Sequence, residues 1–164
     1  MKDKKTLGII LSSVIIILIV ILIIISHFNT NESKLKIVDD YTIFFTVDDC
    51  VNNFLNYVTE GERDILLNLL NTKYKKENNI SENNILEKID NLNILNNNVT
   101  FRAKMMYEKR NNKYIEYYVY GKIYKDDMDE IKYLSDYYII ININTKEKTF
   151  SVTPYDGKVF KEGI

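Results

Sequence analysis

A run of nineteen uncharged and almost wholly apolar residues constrains this 164-residue chain more than any other feature. From Leu7 to Ile25 it reads LGIILSSVIIILIVILIII, and its most polar members are two serines. With a rise of about 1.5 Å per residue, a helix of this length spans roughly 28 Å, close to the roughly 30 Å thickness of a hydrocarbon core. Ile and Val favour strands in water, but a lone strand in lipid leaves its backbone groups without hydrogen bonds. The run therefore predicts a transmembrane helix.

The flanks of this run predict its processing and its orientation. A cleaved signal peptide has a shorter apolar region that ends at small residues, whereas this run ends in the bulky sequence IISHF. We therefore expect an uncleaved anchor. Lys2, Lys4 and Lys5 precede the run and Lys34 and Lys36 follow it, so the positive-inside rule predicts a cytoplasmic N-terminus and an external C-terminal domain.

Composition limits the rest of the chain to one small domain stabilised by packing alone. The single cysteine cannot form an internal disulfide, and a net charge of -1 offers no excess of positive charge for a nucleic acid. The predicted organisation is a cytoplasmic tail at 1–6, a transmembrane helix at 7–27, a polar stalk at 28–40 and an extracytoplasmic α+β domain at 41–164.

Three helices are predicted at the start of this domain, after a short extended piece at 41–46. The first covers 47–59 with Thr46 as its N-cap, because apolar residues recur there at helical spacing. The second follows Gly61 and ends at Asn71, and residues 73–79 have the composition of a loop. The third is short, is capped by Ser81 and contains Ile85, Leu86 and Ile89.

Four strands are predicted after the helices, where the apolar period changes to two. They cover 99–107, 114–125, 133–144 and 147–152, and short turns separate them. Consecutive strands with short links pair as an antiparallel meander, and helices that precede them cover one face. The predicted fold class is therefore α+β: an N-terminal transmembrane helix, then a cone-like roll of three helices packed on a four-stranded antiparallel sheet.

The layout and three segments of the chain resemble a known group of proteins. The segments are TVDDCVNNFLNYV, LLNTKYKKENNIS and TFSVTPYDG, and with the apolar N-terminus they resemble small membrane-anchored proteins of low-GC Firmicutes with a nuclear-transport-factor-2-like domain. The resemblance covers most of residues 41–157. It implies a cone-shaped fold that is also used by the inner-membrane scaffold of type IV secretion and conjugation systems, and that hosts enzymes, binders and scaffolds alike.

Residues with reactive side chains are few in this sequence. His27 is the only histidine and Cys50 the only cysteine, and their placement beside the membrane and on a helix core face excludes Ser-His and Cys-His catalysis. We expect Cys50 to be buried and inert, although a reactive thiol is the alternative. The acidic run DDMDE at 126–130 favours a solvated turn over a Ca²⁺ site, because the ligand spacing and the glycine of such a loop are missing. The sequence predicts no catalytic residue, no cofactor and no metal site.

Tyrosines are abundant in the predicted strands, and alternation places them on both faces of the sheet. One set should pack under the helices, and the other either stabilises the sheet or forms an aromatic platform for a glycan, a peptide or a protein. Glu116, between Tyr114 and Tyr118 on one strand face, is the one candidate for a general base in a pocket inside the cone. A salt-bridged Glu116 that points outward is the favoured interpretation, because charged residues are rarely buried.

Two functions follow from these features. The first is a non-catalytic, membrane-anchored, extracytoplasmic scaffold or protein-interaction module of the cell envelope, whose partners are envelope proteins or a second copy, and not nucleic acid. The second is a small-ligand-binding or enzymatic domain that uses a pocket inside the cone.

Overall fold

A computed structural model describes residues 34–90, 92–127 and 130–162 of the chain. The described residues from Leu35 onward belong to one compact unit, Leu35–Ile164. The elements in chain order are β1 (Lys36–Ile37), α1 (Tyr41–Glu60), α2 (Arg63–Leu69), α3 (Thr72–Glu77), α4 (Ile85–Ile89), β2 (Val99–Arg110), β3 (Tyr114–Asp127), β4 (Glu130–Asn144), β5 (Thr149–Pro154) and α5 (Lys158–Glu162).

Helix α1 begins six residues before the predicted start, so the extended piece expected at 41–46 is helical. Its N-cap is Asp40, whose carboxylate accepts hydrogen bonds from Thr42 N at 2.8 Å and Ile43 N at 3.2 Å. The predicted cap, Thr46, lies inside the helix and donates to Thr42 O. Gly61 ends the helix in the left-handed conformation, with a φ of 75°. The early cap therefore overrides the strand preference of the aromatic and β-branched residues at 41–46.

The shorter helices also differ from the prediction. Residues predicted as a loop at 73–79 mostly belong to α3, because the side chain of Asn71 accepts hydrogen bonds from Lys73 N and Tyr74 N and so caps the helix. Helix α4 starts after Asn84, and Ser81 donates to Asn84 Oδ1 instead of capping the helix itself. Helix α5, beyond the predicted strands, was not expected.

The sheet has five strands in the order β1-β2-β3-β4-β5, with antiparallel pairing throughout. The predicted number of four is therefore wrong. The additional strand, β1, comes from the segment expected to be a stalk, where Lys36 and Ile37 pair with Glu108 and Tyr107. Strands β3 and β4 are longer than predicted, because the acidic run continues both strands up to residues 127 and 130.

The predicted fold class also began with a transmembrane helix, and the structure gives that part no support. None of the helices among the described residues has the length and apolar character needed to cross a membrane. The segment predicted to do so, 7–27, lies outside the described residues.

Helix α1 covers the edge of β2 that β1 leaves open. Asn52 accepts a hydrogen bond from Phe101 N at 2.8 Å and donates to Phe101 O at 3.1 Å, so its amide replaces a neighbouring strand. Asp48 Oδ1 accepts from Ala103 N at 2.6 Å. Burial raises the pKa of the Asp48 carboxyl, and the hydrogen bond from Ala103 opposes that shift. An edge covered in this way cannot pair with another chain.

The hydrophobic core lies between one face of the sheet and helices α1 to α4. Val51, Phe54 and Leu55 of α1 pack with Phe101, Val119 and Ile139 of the central strands, all at most 1 % exposed. Tyr117 and Tyr137 lie on this inner face and are buried. No polar or charged residue of the described chain is fully buried. The opposite face of the sheet is consequently the one where polar and aromatic side chains collect.

Candidate functional site: the outer face of the sheet

The outer face of the sheet is the side turned away from α1 to α4. On β3 the odd-numbered residues Tyr117, Val119 and Ile123 are buried in the core, so the even-numbered residues point outward. The outward set is Tyr114, Glu116, Tyr118, Tyr120, Lys122 and Tyr124. The predicted division of the tyrosines between two faces is confirmed.

Helix α5 covers the centre of this outer face. The ring centroid of Phe160 lies 5.3 Å from that of Tyr107, 5.8 Å from Tyr120 and 5.9 Å from Tyr138. Tyr155 positions the helix by accepting a hydrogen bond from Val159 N at 2.6 Å. These central tyrosines therefore serve packing, and the described residues of α5 cover this part of the face.

One end of the outer face remains exposed, at the hairpin of β3 and β4. We call it the aromatic patch; it comprises Arg102, Lys122, Tyr124, Ile131 and Tyr133. Ile131 is 60 % and Tyr133 55 % exposed. The rings of Tyr124 and Tyr133 form an edge-to-face pair with centroids 6.1 Å apart, and Lys122 and Arg102 lie over them at 5.3 and 5.5 Å. The patch combines a large apolar area with two cations.

The other end of the outer face contains a cavity of about 540 Å³, which we call the outer pocket. Its floor is formed by side chains of β3, β4 and β5, and its wall is the corner between α2 and α3. The lining residues are Asn68, Leu70, Asn71, Thr72, Lys73, Tyr114, Glu116, Asn142, Asn144, Thr149, Phe150 and Ser151. The corner is attached to β5, because Leu70 forms a parallel bridge with Val152 and Asn71 N donates to Val152 O at 2.9 Å.

Glu116 lies in the outer pocket, and not in the helix-covered interior that a general base inside the cone requires. It shares the outer face with Tyr114 and Tyr118, as predicted, and accepts a hydrogen bond from the Tyr118 hydroxyl at 3.2 Å. Burial, and next to it the negative charge of Glu116, raise the pKa of Tyr118 to about 12. At neutral pH Tyr118 is therefore a protonated donor that holds the Glu116 carboxylate in position.

A second cavity of about 530 Å³, the inner groove, opens on the helix side of the sheet. It lies between Val47 and Cys50 of α1 and Ile141, Ile143 and Phe150 of the sheet, so its lining is mainly apolar. Cys50 is half-buried and has no disulfide partner. Burial raises the pKa of its thiol, which keeps the sulfur protonated at neutral pH.

The other residues singled out in the sequence add no further site. Among residues 34–90, 92–127 and 130–162, no three His, Cys, Asp or Glu side chains lie close enough together to hold a metal ion. Asp126, Asp127 and Glu130 belong to strands β3 and β4, while Asp129 and His27 lie outside the described residues.

Sequence reasoning missed the outer pocket. Two of its asparagines, Asn142 and Asn144, come from a strand that was predicted correctly in position, but Asn68 and Asn71 come from helix ends 71 or more residues earlier in the chain. The capping pattern at Asn71 would have located α3, yet no local pattern shows that this corner lies against β5.

Comparisons with known proteins add no family to this description. No family model matches the chain, and neither a curated protein nor a solved structure matches it. The resemblance to nuclear-transport-factor-2-like proteins stays a prediction from the sequence.

Proposed function

We propose that this protein is a non-catalytic protein-interaction module and that the aromatic patch is its contact surface. The observation that supports the proposal is the exposure of Ile131 and Tyr133, more than half of each side chain, beside Arg102 and Lys122. Tyrosine and arginine are enriched at the centres of protein interfaces, where large contact area and directional polar groups combine.

The backbone of the patch is held by strand pairing before a partner binds. Tyr124 and Tyr133 are a cross-strand pair in the β3–β4 ladder, beside a register irregularity between Ile123 and Tyr124. Less backbone entropy is lost on binding from paired strands than from a loop, which favours affinity.

The charges of the patch indicate the kind of protein partner. Arg102 and Lys122 lie over aromatic rings, and Asp136 accepts hydrogen bonds from the hydroxyls of Tyr120 and Tyr133 at 3.3 and 3.1 Å. The cationic side of the patch suits an acidic and aromatic surface on the partner. Such a partner is an envelope protein or a second copy of the chain, as expected for the predicted extracytoplasmic location. A reporter fused to the C-terminus that is active only in the cytoplasm would contradict that location.

Site-specific photo-crosslinking in intact cells tests the contact surface. A photoreactive phenylalanine at Tyr133 should yield a discrete adduct, whereas the same group at Tyr41, which is 79 % exposed at the start of α1, should not. The double variant Ile131→Ser and Tyr133→Ala should reduce the complex while the protein stays folded, because both side chains are exposed and the lost cross-strand pair contributes only about 0.2–1 kcal/mol. Equal adduct yields at positions 133 and 41, or none at 133, would contradict the proposal.

The inner groove favours a second candidate function, the binding of a small apolar ligand. Its volume of about 530 Å³ lies in the range of ligand pockets, and its walls are Val47, Ile141 and Ile143. Decanoate should protect Cys50 from N-ethylmaleimide if it occupies the groove. Unchanged alkylation rates at saturating decanoate would exclude this class of ligand.

A further inference from the structure

We propose that the outer pocket binds a short neutral saccharide. The pocket lies on the same face as the aromatic patch but at the opposite end, on residues that the proposed interaction surface does not include. The inference therefore goes beyond the proposed function and does not depend on it.

The lining of the pocket matches the chemistry of sugar hydroxyl groups. Each hydroxyl of a saccharide both donates and accepts a hydrogen bond, and the side chains that serve both roles are amides and hydroxyls. The pocket is lined by four amides and three aliphatic hydroxyls: Asn68, Asn71, Asn142, Asn144, Thr72, Thr149 and Ser151. The amide oxygens of Asn71 and Asn144 already accept hydrogen bonds from backbone N–H groups, so the acceptors for a ligand come mainly from the other members of the set. Such a set favours a polyhydroxylated ligand over an apolar one.

The charge of the pocket favours a neutral ligand. Its ionic side chains are one carboxylate, Glu116, and one ammonium group, Lys73. Lys73 lies 3.7 Å from Glu77 in an exposed ion pair on α3. Because the one ammonium group of the lining is exposed and already paired with Glu77, the pocket offers no concentrated positive charge to a phosphate or another anion, and its many neutral polar groups suit a ligand bound by hydrogen bonds.

Tyr114 supplies the aromatic surface that a sugar ring requires. A pyranose has an apolar C–H face as well as polar edges, and an aromatic ring covers that face while the edges bind polar groups. Tyr114 is 43 % exposed at the first position of β3, and its backbone N–H is held by Asn111 Oδ1 at 2.8 Å. The ring is therefore available at the rim of the pocket on a fixed backbone.

The polar side chains of the floor are already oriented by the protein. Asn142 Nδ2 donates to Thr153 Oγ1 at 3.1 Å, Asn71 Nδ2 donates to Ser151 Oγ at 3.4 Å, and Tyr118 holds Glu116. In the part of the chain that the structure describes, these bonds leave Asn142 Oδ1 and one oxygen of Glu116 without a protein partner. A bound saccharide would use these acceptors without reorganising the site, which favours affinity.

Calorimetric titration of the full chain with maltose, cellobiose and di-N-acetylchitobiose tests the inference. We expect saturable binding of at least one of the three. Thr149→Val, an isosteric change at an exposed position, and Tyr114→Ala should each weaken that binding by about tenfold, the effect of losing one good contact. Tyr133→Ala is the matched aromatic control and should leave saccharide binding unchanged.

Three results would overturn the inference: no heat of binding with any of the three sugars, binding that Thr149→Val and Tyr114→Ala both leave unchanged, or saturable binding of tetraglycine in their place. The last result would assign the pocket to a peptide. Because crosslinking from position 133 and sugar titration are separate measurements, either proposal can fail while the other stands.

Discussion

Replacement of Asn52 by alanine tests whether helix α1 closes the edge of the sheet. The change removes both hydrogen bonds, at 2.8 and 3.1 Å, that the half-buried Asn52 side chain makes with the backbone of Phe101, a residue that is itself fully buried. An unsatisfied buried N–H costs about 1–3 kcal/mol, and the carbonyl adds to that cost. Alanine recovers about 0.5 kcal/mol through its higher helix propensity. We therefore expect the free energy of unfolding to fall by about 1–3 kcal/mol, and the melting temperature by roughly 4–12 °C.

Asn56→Ala is the control for this prediction, because Asn56 is exposed one turn later on the same helix. It carries the same change in propensity without the edge contact, and its effect should stay within about 0.5 kcal/mol. Unfolding of both variants is followed by near-ultraviolet circular dichroism, and amide exchange locates the effect. Exchange at Phe101 should accelerate in Asn52→Ala, with little change at Val119 in the centre of the sheet. If the two variants have equal stability, the side chain of Asn52 does not replace a strand and the reasoning fails.

Three further predictions concern single groups. Gly121→Ala should destabilise the fold by about 1–3 kcal/mol, because a Cβ there would overlap the ring of Phe101 and lie 2.5 Å from the backbone oxygen of Arg102. An unchanged urea midpoint would contradict this. Since the pKa of Tyr118 is raised from 10 to about 12, its contribution to stability is complete below pH 10 and is lost as the pH rises to about 12. Glu116→Gln should lower the pKa of Tyr118, as measured by tyrosinate absorbance. An unchanged titration curve would be inconsistent with the contact between Tyr118 and Glu116. Because burial raises the pKa of the Cys50 thiol, its alkylation by iodoacetamide at pH 7 should be slower than that of a free thiol. The alkylation rate should also reach its maximum at a higher pH than the rate of free cysteine does. A rate equal to that of glutathione would refute the effect of burial.

Edge contacts account for much of the difference between the predicted and the observed fold. The apolar period of two locates strands β2 to β5, because this period can be recognised from neighbouring residues alone. Strand β1 has only two residues, Lys36 and Ile37, which are too few for a period and are ordered by pairing with Tyr107 and Glu108. The predicted start of α1 is wrong because the N-cap at Asp40 outweighs the strand propensity of residues 41–46. Local capping bonds decided that boundary.

The candidate site shows a similar division. Alternation assigned Glu116, Tyr114 and Tyr118 to one face, and the structure agrees. Alternation alone does not show which face the helices cover, so it is compatible with Glu116 inside the cone or outside it. The structure places Glu116 on the outer face, as the favoured interpretation predicts. The packing of Phe160 on Tyr120 and Tyr138 could not be predicted from the sequence, because α5 has only five residues and no apolar period.

The sequence by itself determined the residues of the core helix stripe, the alternation of the strands, the scarcity of catalytic side chains and the apolar N-terminal run. These properties depend on neighbouring residues, and periodicity and composition report them directly. Only the tertiary structure decided that Asn71 meets Ser151, that Asn52 closes the edge at Phe101, and that one end of the outer face stays exposed while its centre is covered. These contacts join residues 49 to 80 positions apart, and they depend on how the layers pack rather than on any local pattern.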